Sequence, residues 1–306
     1  MKIENAPRRI QTVRKGIPTI EGAGVHLKRA FGYSEVPDFD PFLMLDDFHT
    51  SEPSEYLAGV PWHPHRGIET ITYVLQGLIE HGDSMGNKGV IGAGDVQWMT
   101  AGSGIIHQEM PKISPTGMMW GFQFWANLPA AKKMIPPHYQ EVKAADIPSV
   151  DLGGKAAAKV VAGELNGVRG PVRDIVIDPE FLDVSLPASG TFAHKVKPGH
   201  TVFAYVLEGE GRFDSGKDAF SHKGFGAGWA DISRDCLCGP ESLVLYESKG
   251  DRVDISAGTK PLRFLFLSGR PLGESVAWRG PIVMNTQAEL RTAFAEFEAG
   301  TFVKKR

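Results

Sequence analysis

His63 and His65 stand two apart in the string Pro61-Trp62-His63-Pro64-His65-Arg66-Gly67-Ile68-Glu69. On an extended strand, residues i and i+2 point to the same side, so both imidazoles can face one interior. An H-x-H pair alone says little in a chain of ten histidines. A second pair raises its weight. His107 and Glu109 are also two apart, and the glycine-rich run Gly102-Ser103-Gly104 before them can turn their strand to lie opposite the first. Together the pairs supply three imidazoles and a carboxylate. That donor set suits a borderline first-row divalent ion, iron, manganese, nickel, copper or zinc, rather than calcium or a thiolate site. If the ion is octahedral, four protein ligands leave two positions for substrate and oxygen. Glu69 shares the parity of His63 and His65. It is therefore either a competing ligand or a hydrogen-bond partner that orients an imidazole. His81, His138, His194, His200 and His222 have no paired spacing and read as surface or satisfied core residues.

Strands must position such pairs, and the chain has the texture to provide them. Glycine (36) and proline (21) are spread among short β-branched and aromatic runs, as expected for an all-β protein. Clear examples are Thr70 to Leu75, Val202 to Leu207, Leu243 to Tyr246 and Arg263 to Leu267. The segment from Leu128 to Pro137 breaks the pattern with prolines, which places a connection there, running to about residue 150. The expected division is an N-terminal domain over 1–135 carrying the metal, a connection over 136–150 and a C-terminal domain over 151–306. Near the end, Thr286 and Glu289 form a T-x-x-E capping box. Leu290, Ala293, Phe294 and Phe297 follow at helical spacing, and Gly300 stops the run, which predicts an amphipathic helix at about 286–299 packed on a barrel.

The two halves are alike. A shift of 132 residues lays Tyr73-Val74-Leu75-Gln76-Gly77 on Tyr205-Val206-Leu207-Glu208-Gly209, and Gly92 and Gly94 on Gly224 and Gly226. Two copies of one β unit follow. The same shift lays His63, His65 and His107 on Lys195, Lys197 and Gly239, with only Glu109 keeping its type at Glu241. If the copies share a fold, the second does not hold the same metal.

Composition excludes other classes. The net charge of -3 gives no bulk reason for nucleic-acid binding, and the basic group Arg8, Arg9, Arg14 and Lys15 reads as a solvated face. No apolar run is long enough for a membrane span or a secretory signal, so the expectation is a soluble, cytoplasmic protein. Cys236 and Cys238, the only cysteines, read as two reduced thiols near a turn.

At these residues the sequence resembles the pirin family of the cupin superfamily. The matching strings are Pro41-Phe42-Leu43-Met44-Leu45-Asp46, His63-Pro64-His65-Arg66-Gly67-Ile68-Glu69-Thr70, Gly94-Asp95-Val96-Gln97-Trp98-Met99-Thr100-Ala101-Gly102 and His107-Gln108-Glu109-Met110. The resemblance implies two cupin barrels of the double-stranded β-helix, or jelly-roll, kind in one chain, and a single metal in the N-terminal barrel held by His63, His65, His107 and Glu109. It thus ranks Glu109 above Glu69, which spacing could not do. It implies a divalent transition metal, Fe(II) first, with Mn, Ni, Cu or Zn as alternatives. It also implies a quercetin 2,3-dioxygenase-type reaction on a small aromatic substrate with O2, with Glu109 as base and Phe48, Trp98, Met99 and Phe124 as candidate pocket walls. The other function it implies is a non-enzymatic, metal- or redox-dependent regulator that binds a transcription factor or metabolic enzyme.

Overall fold

The computed structural model describes residues 6–214, 223–224 and 237–304. The first five residues, His222, Gly226 and Cys236 lie outside the described residues. Among the described residues, no helix is long and apolar enough to cross a membrane.

Two compact units interleave along the chain. One comprises residues 17–146, 174–177 and 272–306, and the other residues 1–16, 147–173 and 178–271. Each is a jelly-roll barrel of two main sheets, antiparallel except for one parallel pairing between residues 12–13 and 223–224 in the second unit, as expected from the alternation of short apolar strands with glycine-rich turns.

The first unit contains β1 (Ile17–Glu21), β2 (Val25–Phe31), β3 (Phe42–Thr50), β4 (Val60–His65), β5 (Ile68–Gln76), β6 (Leu78–Asp83) and β7 (Lys88–Ile91). It continues through β8 (Val96–Thr100), β9 (Ile105–Lys112), β10 (Met119–Asn127), β11 (His138–Val142), β12 (Ala277–Arg279), β13 (Ile282–Met284) and α1 (Gln287–Glu298). Seven strands form one sheet in the order β11-β8-β5-β10-β3-β2-β1, and four form the other in the order β4-β9-β6-β7. The central strands β5 and β8 and most of β3 and β10 are buried along nearly their whole length. Both faces of the sheet are thus covered along these runs.

The second unit has an eight-stranded and a four-stranded sheet around a core that includes Phe192, Phe213, Phe264 and Phe266. The repeat is visible in both units: Tyr73 and Tyr205 each lie in a central strand, and Gly77 and Gly209 leave those strands with φ of +96° and +75°. Among the described residues, the second unit contains no cluster of metal-ligating side chains.

Several expectations are corrected. The boundaries 1–135, 136–150 and 151–306 do not follow the compact units. The stretch taken as a connection contains β11, whose residues pair with β8 at the sheet edge, and Pro136 and Pro137 stand just outside the strand, where no ladder N–H is required. The C-terminal helix carries the expected capping box, with Thr286 Oγ1 accepting from the Glu289 N–H, but it packs with the first unit. Leu290 and Ala293 are buried beneath it, whereas Phe297 is exposed. Within the basic group near the start, Lys15 is exposed as expected and Arg9 and Arg14 are half-buried, but Arg8 departs from a solvated face. Arg8 is buried, donating to the carbonyls of His200 at 2.7 Å and Gly250 at 3.1 Å, and Arg9 pairs with Asp214 at 3.1 Å.

Candidate metal centre

Strands β4 and β9 pair antiparallel with His107 opposite His63 and Ile105 opposite His65. Alternation then turns all three imidazoles to one side. Their ring centroids are 4.3 to 5.0 Å apart, and each offers a nitrogen within 4.8 Å of the others. No other group of three such ligands occurs among the described residues.

Hydrogen bonds set the tautomers. His63 Nδ1 lies 2.8 Å from the Pro61 carbonyl and His65 Nδ1 3.0 Å from the Pro281 carbonyl. A carbonyl only accepts, so both Nδ1 atoms carry the proton and both Nε2 lone pairs turn inward, 3.0 Å from each other. His107 is fully buried, and neither of its ring nitrogens has a hydrogen-bond partner among the described residues. Burial pushes the pKa of His65 and His107 well below the usual imidazole range, with each neighbouring histidine adding to the effect, and it lowers His63 as well. Three neutral imidazoles with converging lone pairs, one with no other partner, fit a cation as the shared acceptor.

Glu109 is not a member of this group of three. Pairing shifts by one residue between His107 and Glu109, which faces Val60. Its carboxylate accepts from Thr72 Oγ1 at 2.7 Å and from Gln123 Nε2 at 2.9 Å, and Trp125 Nε1 fixes the Gln123 amide by donating to its Oε1 at 3.1 Å.

Glu69 lies elsewhere. The parity linking it to His63 and His65 breaks at Gly67, whose φ of +77° ends β4 before β5 begins. Glu69 is fully buried and accepts from Thr100 Oγ1 at 2.9 Å; burial pushes its pKa up to about 7.

Sequence reasoning missed His81. On β6, opposite Glu109, it is buried between Asp83 at 3.2 Å and Gln97 at 2.9 Å, stacks on Tyr139 and lies 5.5 Å from the His107 ring. The signal was present: His81 and Asp83 form a third i, i+2 pair.

His63, His65 and Glu109 open into a cavity of about 520 Å³. Of the expected walls only Phe48 lines it, while Trp98, Met99 and Phe124 are buried in the core. Phe124 and Trp125 are adjacent on β10, so they face opposite sides, and it is Trp125 with Gln123 that meets the cavity. Trp278 and Pro281, from the β12–β13 hairpin, complete the wall. Arg29, held by Asp46 at 2.7 and 2.8 Å and by Glu21 at 2.9 Å, is the cation among the lining residues.

The C-terminal segment secures the loop behind the ligands. Arg66 lies over the Phe302 ring at 4.2 Å, donates to the Phe302 carbonyl and pairs with Glu296 at 2.7 Å. Lys133, also buried, donates to the carbonyls of Gly67 and Val283 and to Asn127 Oδ1 at 2.7 to 2.9 Å.

A family model described as pirin matches residues 24–126, and one described as the pirin C-terminal cupin domain matches residues 181–303. A pirin-like protein of Caulobacter vibrioides is 42% identical over 96% of this chain and 99% of its own. A Pseudomonas aeruginosa protein that carries a provisional quercetin 2,3-dioxygenase name is 37% identical over 96% of this chain and 97% of its own. The crystal structure of a quercetin 2,3-dioxygenase from Acinetobacter baumannii superposes with a TM-score of 0.84 at 30% identity, covering 97% of this chain and 99% of the other.

Proposed function

Because the chain belongs to the pirin family, we propose that it is a metal-dependent dioxygenase that opens a flavonol-type ring with O2. The observation that carries this reading is that two ligand histidines and Glu109 face one cavity of about 520 Å³, a volume in the range of small-molecule sites. The names of the Pseudomonas and Acinetobacter relatives supply the substrate class.

In this reading His63, His65 and His107 hold one divalent transition metal, with Fe(II) first among the candidates, and Glu109 completes the set. The ion would supply Lewis acidity favouring an ionised substrate oxygen, together with the redox capacity that O2 chemistry needs. The protein's own part is positional. Each Glu109 oxygen accepts one hydrogen bond and keeps a lone pair, so the carboxylate can take the proton of the substrate's enolic hydroxyl while Thr72 and Gln123 hold it in place. Trp125, Trp278 and Phe48 give a flat substrate apolar surface and displace water around the reacting oxygen.

The test is turnover of a flavonol panel under oxygen by protein loaded in turn with iron, manganese, nickel and copper. Glu109→Gln that retains metal should lose about two orders of magnitude or more in kcat, the scale of a missing general base. Wild type inactive with every metal would remove the enzyme reading and leave the metal-dependent regulator with a protein partner.

A further inference from the structure

A line of aromatic rings runs from the ligand cluster to the surface. Trp125 meets His65 edge-on with centroids 5.1 Å apart, Trp278 follows at 5.7 Å from Trp125, and Tyr33 at 5.6 Å from Trp278. The two tryptophans are half-buried, whereas Tyr33 is 67% exposed. Tryptophan and tyrosine are the side chains from which a single electron is most easily removed, and short steps between neighbouring rings outpace one long transfer. We propose that Trp125, Trp278 and Tyr33 form a relay that carries an oxidising equivalent from the His63–His65–His107 site to the protein surface. The proposal rests on the reading of that site as an oxygen-using iron centre.

Two features distinguish a relay from a plain cavity wall. Each indole N–H has an oxygen acceptor, Gln123 Oε1 at 3.1 Å for Trp125 and the Gly280 carbonyl at 2.6 Å for Trp278. An acceptor at that position stabilises the positive charge of an oxidised indole. The carboxylates of Glu21, Asp46 and Glu109 line the same cavity against the single guanidinium of Arg29, a negative potential that also favours a passing positive charge. Phe48, on the same wall, is not readily oxidised and offers no such step.

The relay has work to do when hydrogen peroxide reaches the Fe(II) site with no substrate bound. Peroxide needs two electrons. One comes from Fe(II), which becomes Fe(III), and one from Tyr33 by way of Trp278 and Trp125. The phenolic proton of Tyr33 passes to solvent, peroxide takes up two protons and becomes two waters, and a phenoxyl radical remains at the exposed ring. An external one-electron reductant such as ascorbate then returns the electron and a proton.

The full chain, loaded anaerobically with Fe(II) and assayed for metal content, is mixed with hydrogen peroxide, frozen and read by electron paramagnetic resonance. Wild type should show Fe(III) together with a tyrosyl radical. Tyr33→Phe and Trp278→Phe should lose the radical with metal content unchanged, Trp278→Tyr should restore it, and Trp62→Phe, an exposed ring off the line, should leave it intact. Fe(III) formed with no protein radical, or a tyrosyl radical that persists in both Phe variants, overturns the relay and leaves the iron reading standing. Failure of the chain to load iron overturns both.

Discussion

Glu69 is a carboxyl group buried with no ionic partner among the described residues, and burial raises its pKa from an ordinary 4.5 to about 7. The sign of the linkage follows. The folded state holds the proton between pH 4.5 and 7 while the unfolded state has released it, so stability is lost as pH rises through that window. The amide of Glu69→Gln does not titrate. The unfolding free energy of the variant minus that of wild type should therefore grow by roughly 3 kcal/mol from pH 4.5 to 7, as measured by urea denaturation. A flat difference across that range would mean that Glu69 is not held protonated. The clustered histidines act in the opposite sense. Lowered pKa values for His65 and His107 mean that the metal-free protein loses stability as pH falls below about 6.5, where the unfolded chain binds protons that the folded site refuses.

The turn between β4 and β5 is the element on which the site depends. At Gly67 the φ of +77° suits glycine, and a Cβ there would lie 2.0 Å from the Val283 carbonyl oxygen. Gly67→Ala must therefore displace β13, at a cost of about 2 kcal/mol or more. Because Pro281, just before β13, fixes the His65 tautomer, metal affinity should fall with stability. Thermal melts and elemental analysis read the two effects separately. Lys133 clamps the same turn, and burial pushes its pKa down to about 8. Lys133→Met takes the ammonium donor from the Val283 carbonyl and Asn127 Oδ1, while the Gly67 carbonyl keeps the Leu128 N–H, and should cost roughly 3 kcal/mol. Lys133→Arg does not restore the wild type, since a planar fork cannot reproduce a compact three-way ammonium.

On the scale of the molecule, the barrel that carries the three histidines is finished by residues from the far end of the chain. The core patch of Ala277, Ile282, Met284, Leu290, Ala293 and Phe302 seals it behind the ligand strands. Phe302→Ala removes a fully buried ring on which Arg66 rests, and a loss of about 3 to 5 kcal/mol is expected by denaturation, with weakened metal retention. The second barrel repeats the strands without the ligands, so elemental analysis should find one ion per chain. His107→Ala should reduce it to none, while Lys195→Ala, at the position corresponding to His63, should leave it unchanged.

The all-β architecture, the repeat, the helix with its capping box and the three convergent histidines were legible in the sequence because each rests on a local period. Two residues per strand repeat fix which side chains share a face, and a hydrogen-bonded cap spans three positions. Only the tertiary structure decided the rest. Glu69 left the ligand face because one glycine breaks the strand parity, and His81 joined the site through a cross-strand neighbour. Trp278 and Pro281 reached the cavity from more than two hundred residues along the chain. Such contacts depend on how strands are ordered in a sheet and on where a returning segment packs, and neither leaves a repeat for a linear reading to find.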